Sequence, residues 1–299
     1  MKLEHILVAT DFSEAGTYAV AEATAWAQRY KAALHVVHVV PPKRWFAGLF
    51  GSADALHAAA CNHAAKSLKE ISEGIDTAHI PQITTGVLEG PAARTIRHAA
   101  QVFSSDLLVI GARGEHREPA RSMGLGGTAA KLSSAPNVPT LLVRRESASS
   151  KPLVLAPVDL TPISGSVIQW AYRCCHDGEL RILHVYEVPF SSRLRTYGVA
   201  ESAIDIYTAD EQMRRTQQLA DLVAQSSSPS TVQIQQIIER VDSSEGLLEH
   251  VRRFDGTTLV LGKHRSDSDR TAPNYNSVCD YAARFCPGNV LIVPSEVDT

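Results

Sequence analysis

The order of apolar and polar residues in the first half of the chain predicts alternating strands and helices. Short runs that are apolar at almost every position are typical of parallel strands covered on both faces. Alanine-rich segments with one apolar side lie between them and predict helices, the first of which begins after Ser13, a favoured N-cap residue. The predicted strands are His5–Ala9, Ala33–Val40, Pro81–Thr85, Leu107–Ile110 and Val138–Val143. Short connections between alternating elements favour a doubly wound parallel sheet.

The same pattern begins again in the second half of the chain. The segment LVLAPVD at 153–159 corresponds to ILVATD at 6–11, and LRILHV at 180–185 corresponds to LHVVHV at 34–39. The offset is about 150 residues, and a polar, serine-rich segment at 144–151 separates the two halves. We therefore predict a tandem duplication of one α/β domain, with domains at residues 1–146 and 151–299.

The stretch Asp106–Lys131 carries the clearest chemical signal. After the buried strand, Gly111 and Gly114 bracket a sharp turn, a basic loop follows, and the segment GLGG at 124–127 leads to Thr128, which is predicted to open a short helix. Glycine allows a ligand to approach the backbone closely, and the first N–H groups of a helix have no intrahelical partner. A strand, a glycine-rich loop and a helix N-terminus together predict a phosphate site.

Composition and charge narrow the class of protein. The 299 residues favour about two domains, and a formal net charge of −3 gives no support for nucleic-acid binding. No apolar run reaches the roughly 20 residues that span a bilayer, and Asp11 interrupts the first apolar segment, which therefore does not resemble a signal peptide. The five cysteines are scattered without a CxxC pair, which favours reduced thiols. We expect a cytoplasmic protein.

Several other sites were considered from the residues alone. His57 and Cys61 lie four positions apart on a predicted helix and could be zinc ligands, but His63 points elsewhere and an ordinary helix surface is the favoured interpretation. Asp11 could equally cap the helix that follows it. The chain contains none of the common hydrolase, metalloprotease or P-loop motifs, and we expect it not to be an enzyme.

Three motifs resemble the universal stress protein family: Asp11 in VATDFSE, His38-Val39 in LHVVHVV, and Gly111-Ala112-Arg113-Gly114 with the later glycines. The resemblance covers nearly the whole chain, twice. It implies two Rossmann-like open sheets of five parallel strands in the order 3-2-1-4-5, with helices on both faces. It also implies pseudo-two-fold pairing of the domains through Val138–Val143 and Asn289–Val293, and it leaves a homodimer open.

The resemblance also implies an adenine nucleotide, ATP or ADP or AMP, in the N-terminal domain. Asp11 would bind the nucleoside and the Val39 backbone the adenine edge, while the glycine loop would hold ribose and phosphates. The implied site residues are Ala9, Asp11, Val39, Gly111, Arg113, Gly114, Gly126, Gly127 and Thr128. One departure is that Leu125 stands where the family has Ser or Thr, so that the late glycines are displaced by two positions.

The second half departs further from the family pattern. Asp159 is retained, but Gly262-Lys263-His264-Arg265 lacks the second glycine, and Asn276 stands in place of the late one. We therefore expect a degenerate second domain and at most one nucleotide per chain.

The leading hypothesis is a tandem universal stress protein regulated by its ligand. One alternative is a nucleotide-independent interaction protein that binds a partner or a hydrophobic ligand through the apolar loop Trp45–Phe50. A zinc-binding variant that uses His57 and Cys61 is a further alternative.

Overall fold

The chain folds into two compact units in a computed structural model. The described residues are 2–46, 52–113, 124–145, 151–188, 196–226, 231–241, 246–264 and 275–295. Unit 1 comprises residues 1–148 with 283–292, and unit 2 comprises residues 149–282 with 293–299. The first boundary falls at the predicted linker, whereas most of the last strand of the second repeat belongs to unit 1.

Unit 1 contains the predicted doubly wound sheet. Its elements are β1 (His5–Ala9), α1 (Glu14–Tyr30), β2 (Ala33–Val40), α2 (Lys43–Phe46), α3 (Ala53–Gly74), β3 (Ile83–Glu89), α4 (Ala92–Val102), β4 (Leu107–Gly111), α5 (Gly127–Ser134) and β5 (Thr140–Val143). The strands are parallel in the order β3-β2-β1-β4-β5, which confirms the expected order. The strand order reverses at β1, whose neighbours are β2 on one side and β4 on the other. Such a switch point opens a crevice at the carboxyl ends of the strands.

Unit 2 repeats this arrangement. Its elements are β6 (Leu153–Pro157), α6 (Ile163–Cys175), β7 (Glu179–Tyr186), α7 (Glu201–Gln225), β8 (Gln233–Arg240), α8 (Gly246–Arg253), β9 (Thr258–Lys263) and α9 (Tyr275–Phe285). The strands β9-β6-β7-β8 pair in parallel, in the order of the first four strands of unit 1. The duplication predicted from the sequence is therefore present as two copies of one α/β architecture.

The last strand, β10 (Asn289–Pro294), pairs with β5 in antiparallel orientation inside unit 1. Leu291 lies opposite Leu141, and Val290 lies opposite Leu142. These are the two segments that the family resemblance pairs. Both strands are buried along most of their length, as their apolar sequences predict.

Some predicted boundaries differ from those of the structure. The third strand, predicted at Pro81–Thr85, runs from Ile83 to Glu89, because it ends only at Gly90, whose φ of 144° interrupts the strand. The strand has no fully buried position and contains Gly86, and this weak pattern concealed its C-terminal half. Helix α5 begins at Gly127 instead of Thr128, with Gly126 as N-cap.

Candidate functional site

A cavity of about 150 Å³ lies in unit 1 at the carboxyl ends of β1, β2 and β4. Eight of the nine predicted site residues line it: Ala9, Asp11, Val39, Gly111, Arg113, Gly126, Gly127 and Thr128. The ninth, Gly114, lies outside the described residues. The lining also includes residues that the sequence did not single out for the site: Thr10, His38, Ala92, Ile96, Ile110 and Ala129. Positions that are distant in sequence thus converge on one crevice.

Asp11 and Ser13 form the turn between β1 and α1. Ser13 is the N-cap, and its hydroxyl oxygen accepts a hydrogen bond of 3.1 Å from the N–H of Gly16. Asp11 Oδ1 accepts from the Ser13 hydroxyl at 2.5 Å and from the Ser13 N–H at 3.2 Å. Asp11 therefore orients the cap residue through one oxygen, while the exposed side chain also lines the cavity. The capping interpretation of Asp11 and the ligand interpretation are compatible.

His38 forms part of the wall beside this turn. Its Nδ1 lies 2.8 Å from the carbonyl oxygen of Thr10. Because a carbonyl can only accept, Nδ1 carries the hydrogen. The ring stacks on Phe12 with centroids 4.4 Å apart. Phe12 has a left-handed φ of 64°, which is uncommon for a bulky residue and is found in turns and at functional sites. Leu160 has the same conformation at the matching turn of unit 2, with a φ of 60°.

Two glycines allow α1 to approach the strand ends. A Cβ at Gly111 would lie 2.9 Å from the carbonyl carbon of Ala15, and a Cβ at Gly16 would lie 2.7 Å from Thr10 Oγ1. Both distances are shorter than real Cβ contacts, so a larger residue at either position would displace the helix. Gly111 is thus required by packing as well as by any ligand that approaches the loop.

The N-terminus of α5 faces the cavity. The Gly126 N–H donates to the Ala112 carbonyl at 2.9 Å, which fixes the start of the helix to the end of β4. The first intrahelical bond is Ala130 N–H to Gly126 O, at 2.8 Å, so the N–H groups of residues 127–129 have no partner within the helix. The first turn contains no acidic residue. Three donors without an intrahelical partner and the positive end of the helix dipole favour an anion at this end of the cavity.

Leu125 explains the displaced glycines. Its side chain is only 7% exposed, so this position serves the core instead of supplying a hydroxyl to the loop. The helix consequently starts at the glycine pair that follows.

The start of α4 approaches the same cavity from the other side. Pro91 is its N-cap, Ala92 and Ile96 line the cavity, and the Gly90 N–H donates to the Val40 carbonyl at 3.0 Å. Ala92 carries no functional group, so its place in the cavity could not be predicted from the amino-acid sequence. The cavity therefore combines apolar side chains, one carboxylate, one guanidinium and the starts of two helices.

The comparison with protein families agrees with this geometry. The model described as "Universal stress protein family" matches residues 2–144 and again residues 153–294. The chain belongs to the universal stress protein family. Because the two matches cover both halves, it is a tandem member with two universal stress protein domains.

Two solved structures with TM-scores above 0.5 show the same fold. A universal stress protein from Archaeoglobus fulgidus is 17% identical, with a TM-score of 0.64 over 100% of this chain and 98% of that one. A functionally unknown protein from Pseudomonas aeruginosa is 16% identical, with a TM-score of 0.58 over 98% of this chain and 92% of its own. A universal stress protein in complex with cAMP is 21% identical, with a TM-score of 0.37 over 48% of this chain and 99% of its own. No curated protein matches the sequence significantly.

Two other properties concern the described residues only. None of their helices is both long and apolar enough to cross a membrane. No group of three or more His, Cys, Asp and Glu side chains among them is placed to hold a metal ion. The His57 ring nitrogens lie 3.9 Å from Cys61 Sγ, which is a pair and not such a group.

The second universal stress protein domain uses its retained aspartate differently. Asp159 Oδ1 accepts from the Thr161 N–H and hydroxyl, at 3.1 and 2.6 Å, and from the Ser164 hydroxyl at 2.9 Å. Its Oδ2 lies 2.6 Å from His264 Nε2, and the carboxylate is only 3% exposed. Burial alone would raise the pKa of this carboxyl, but the hydrogen bonds from Thr161, Ser164 and His264 hold it below its ordinary value. The carboxylate is fully engaged within unit 2.

A comparison of the two repeats identifies the substitutions that surround Asp159 with polar side chains. Ser164 corresponds to Gly16 and His264 to Arg113. Lys263, which corresponds to Ala112, is buried and forms a 2.7 Å ion pair with Asp280. Larger polar residues in unit 2 therefore bond to one another where unit 1 leaves a cavity.

Proposed function

We propose that this universal stress protein binds one adenine nucleotide, ATP or ADP or AMP, in the cavity of unit 1. The observation that carries the proposal is that Asp11, Arg113 and the first-turn N–H groups of α5, which have no partner within the helix, converge on one crevice with apolar walls. A nucleotide needs such a combination, because it joins a flat, largely apolar base to a sugar and to a chain of anionic phosphates.

Each part of the cavity suits one part of the ligand. The apolar side chains, among them Val39, Ile96 and Ile110, suit the base. Among the described residues, Asp11 Oδ2 has no hydrogen-bond donor, so it is available to accept from a ribose hydroxyl. The N-terminus of α5 and the Arg113 guanidinium suit the phosphates. These assignments follow the chemistry of the groups that line the cavity.

The proposed stoichiometry is one nucleotide per chain. Asp159, the counterpart of Asp11, has both oxygens occupied and is buried beneath His264. A nucleotide there would have to displace these bonds, which would leave several buried donors unsatisfied, at roughly 1–3 kcal/mol each.

We further propose that the bound nucleotide regulates the protein without dedicated catalysis, in the cytoplasm. Family membership supports a role in the response to stress. Asp11 is the carboxylate in the lining of the cavity, and its Oδ1 is committed to Ser13, which makes it a poor general base.

The proposal is tested by calorimetric and thermal titration of the purified full chain with ATP, ADP and AMP. We expect one nucleotide per chain and, at a hundredfold excess over Kd, a stabilisation of about 2.7 kcal/mol, seen as a higher Tm. Asp11→Ala should abolish the shift. If no adenine nucleotide raises the Tm of the wild-type chain, the alternative of a nucleotide-independent interaction protein takes precedence. That alternative has the exposed Trp45 in its favour, 61% accessible beside the buried Phe46.

A further inference from the structure

A second concavity lies on the outer surface of α4, on the side away from the nucleotide cavity. This α4 groove has a volume of about 580 Å³. Arg94, Arg97 and His98 line it from α4, and Arg44 lines it from α2. Nothing in the family's nucleotide site involves these residues. The groove is therefore a separate feature that needs its own explanation.

The basic side chains of the groove are not neutralised within the described part of unit 1. Its one lining carboxylate, Glu89, accepts from the Lys43 N–H at 3.2 Å and lies 3.6 Å from His57 Nε2. Over the described residues, neither Arg44 nor Arg94 has a carboxylate within ion-pair distance. Apart from Glu89, the described lining of the groove offers these two arginines no countercharge.

Arg97 is partly committed. Its Nη2 donates to the carbonyls of Lys131 and Ala135, at 3.1 and 3.2 Å, at the end of α5. These bonds hold its guanidinium in a defined position, and the group keeps its charge. Arg97 therefore lines the groove with a guanidinium group that hydrogen bonds hold in place.

This arrangement is unfavourable for α4 itself. Arg94 is three positions from Arg97, so two like charges are neighbours on one face of the helix. Arg94 also lies in the first turn of α4, where the helix dipole disfavours a cation, and this turn has no acidic residue to compensate. Local rules that are broken without compensation are typical of functional sites. An anion in the groove would supply the missing compensation.

We propose that the α4 groove is a binding site for a small anion that contains a chain of phosphates, distinct from the nucleotide cavity. Its volume is within the range of small-molecule sites, about 300–1,000 Å³. Arginine guanidinium groups bind phosphate oxygens in a fork, and Thr95 and Gln101 add neutral hydrogen-bonding groups. The chemistry fits either an inorganic polyphosphate or the phosphate tail of a nucleoside triphosphate. The net charge of −3 disfavours a long nucleic acid.

The test is isothermal titration of the full chain with inorganic tripolyphosphate at low salt. The double variant Arg94→Ala/His98→Ala should bind about a hundredfold more weakly, since each lost charged contact reduces affinity by about tenfold. The matched control is Lys66→Ala/Lys69→Ala on α3, which removes exposed cations that already face Glu70 and Glu73. Its affinity should stay within about twofold of wild type.

A separate measurement tests whether the double variant still folds. Because Arg94 and His98 are exposed and Arg94 lies beside the like charge of Arg97, the double variant should keep or exceed the wild-type Tm without ligand. Arg44→Ala, on a different helix, should weaken tripolyphosphate binding by about tenfold and guards against a local defect in α4.

The variant Gly127→Pro distinguishes binding in the nucleotide cavity from binding in the α4 groove, because it removes one N–H from the start of α5. It should leave the Arg94-dependent binding of tripolyphosphate intact. ATP is then titrated into Gly127→Pro with and without the Arg94→Ala substitution. If the groove takes the phosphate tail of a nucleoside triphosphate, ATP binding depends on Arg94. If it takes only inorganic polyphosphate, ATP binding does not depend on Arg94. Absence of tripolyphosphate binding to the wild type, or an equal loss in the Lys66/Lys69 control, overturns the proposal whether or not ATP binds the first cavity.

Discussion

At Gly127, the contribution of a single backbone N–H to the candidate site can be tested. It is the first residue of α5, and its N–H is one of three without a partner inside the helix. A Cβ at this position would have no atom within 4 Å. Gly111 is the opposite case, since a Cβ there would lie 2.9 Å from Ala15. Side chains can therefore be added at Gly127 but not at Gly111.

We expect Gly127→Ala and Gly127→Pro to separate stability from binding. Alanine keeps the N–H and should stabilise the ligand-free protein by about 0.5–1 kcal/mol. Proline is favoured at the first helical position, and the ψ of 151° at Gly126 suits a following proline, but the N–H is lost. Loss of one hydrogen bond to a charged ligand should weaken ATP binding by about tenfold or more, measured by calorimetry. Equal ATP affinities for the two variants would show that this N–H does not contact the phosphates.

The strand β2 carries a stacked cluster near its start. His35 is buried, its Nε2 lies 3.2 Å from His5 Nδ1, and its Nδ1 lies 2.7 Å from Thr84 Oγ1. Its ring stacks on Phe103, with centroids 4.2 Å apart. Burial lowers the pKa of His35 below its ordinary value of 6.5, and the neighbouring His5 lowers it further. The folded strand therefore prefers the neutral imidazole.

This preference makes the stability of unit 1 depend on pH. Since the pKa is lower in the folded state, the unfolded chain takes up the proton first, and stability is lost as the pH falls through about 6.5. We expect thermal unfolding scans between pH 8 and pH 5 to show a steeper loss for wild type than for His35→Asn.

His79→Asn is the matched control, because His79 is exposed and asparagine tolerates its left-handed φ of 66°. If His35→Asn loses stability with falling pH as steeply as wild type does, the His35 cluster does not cause the pH dependence of stability.

The two halves of the chain share an aspartate at one equivalent position but differ in the residues around it. In unit 1, Asp11 lines a cavity and uses one oxygen for the Ser13 cap. In unit 2, Asp159 receives hydrogen bonds from Thr161, Ser164 and His264 and is buried. The duplication thus kept the carboxylate in both copies and changed what surrounds it.

Alanine at the two positions should therefore have opposite effects. Asp11→Ala should abolish ATP binding with a small change in Tm, since this carboxylate is exposed. Asp159→Ala should leave ATP binding unchanged and lower stability by about 2–4 kcal/mol, because several buried donors lose their acceptor. Calorimetry and thermal unfolding of both variants check this. Loss of ATP binding in Asp159→Ala, or two nucleotides bound per wild-type chain, would contradict the assignment.

Much of the fold and of the candidate site could be predicted from particular residues. The apolar runs and the matching segments at 6–11 and 153–159 predicted the fold and its duplication, because strand periodicity is a local property. Asp11 and the glycines were found by their motifs. Ala92, Ile96 and Ala129 were missed because they line the cavity without a functional group of their own. The α4 groove was missed because Arg44 is separated from Arg94 by fifty residues in sequence.

The element order, the tandem repeat and the set of residues available for a nucleotide site can be predicted from the amino-acid sequence. They follow from patterns of neighbouring residues, which local burial and turn chemistry dictate. That Asp11 opens onto a cavity while His264 closes over Asp159 follows only from the folded arrangement, since Asp159 and His264 are 105 positions apart. Such contacts are set by how α1 and α6 pack on their strands, and no local pattern records that packing.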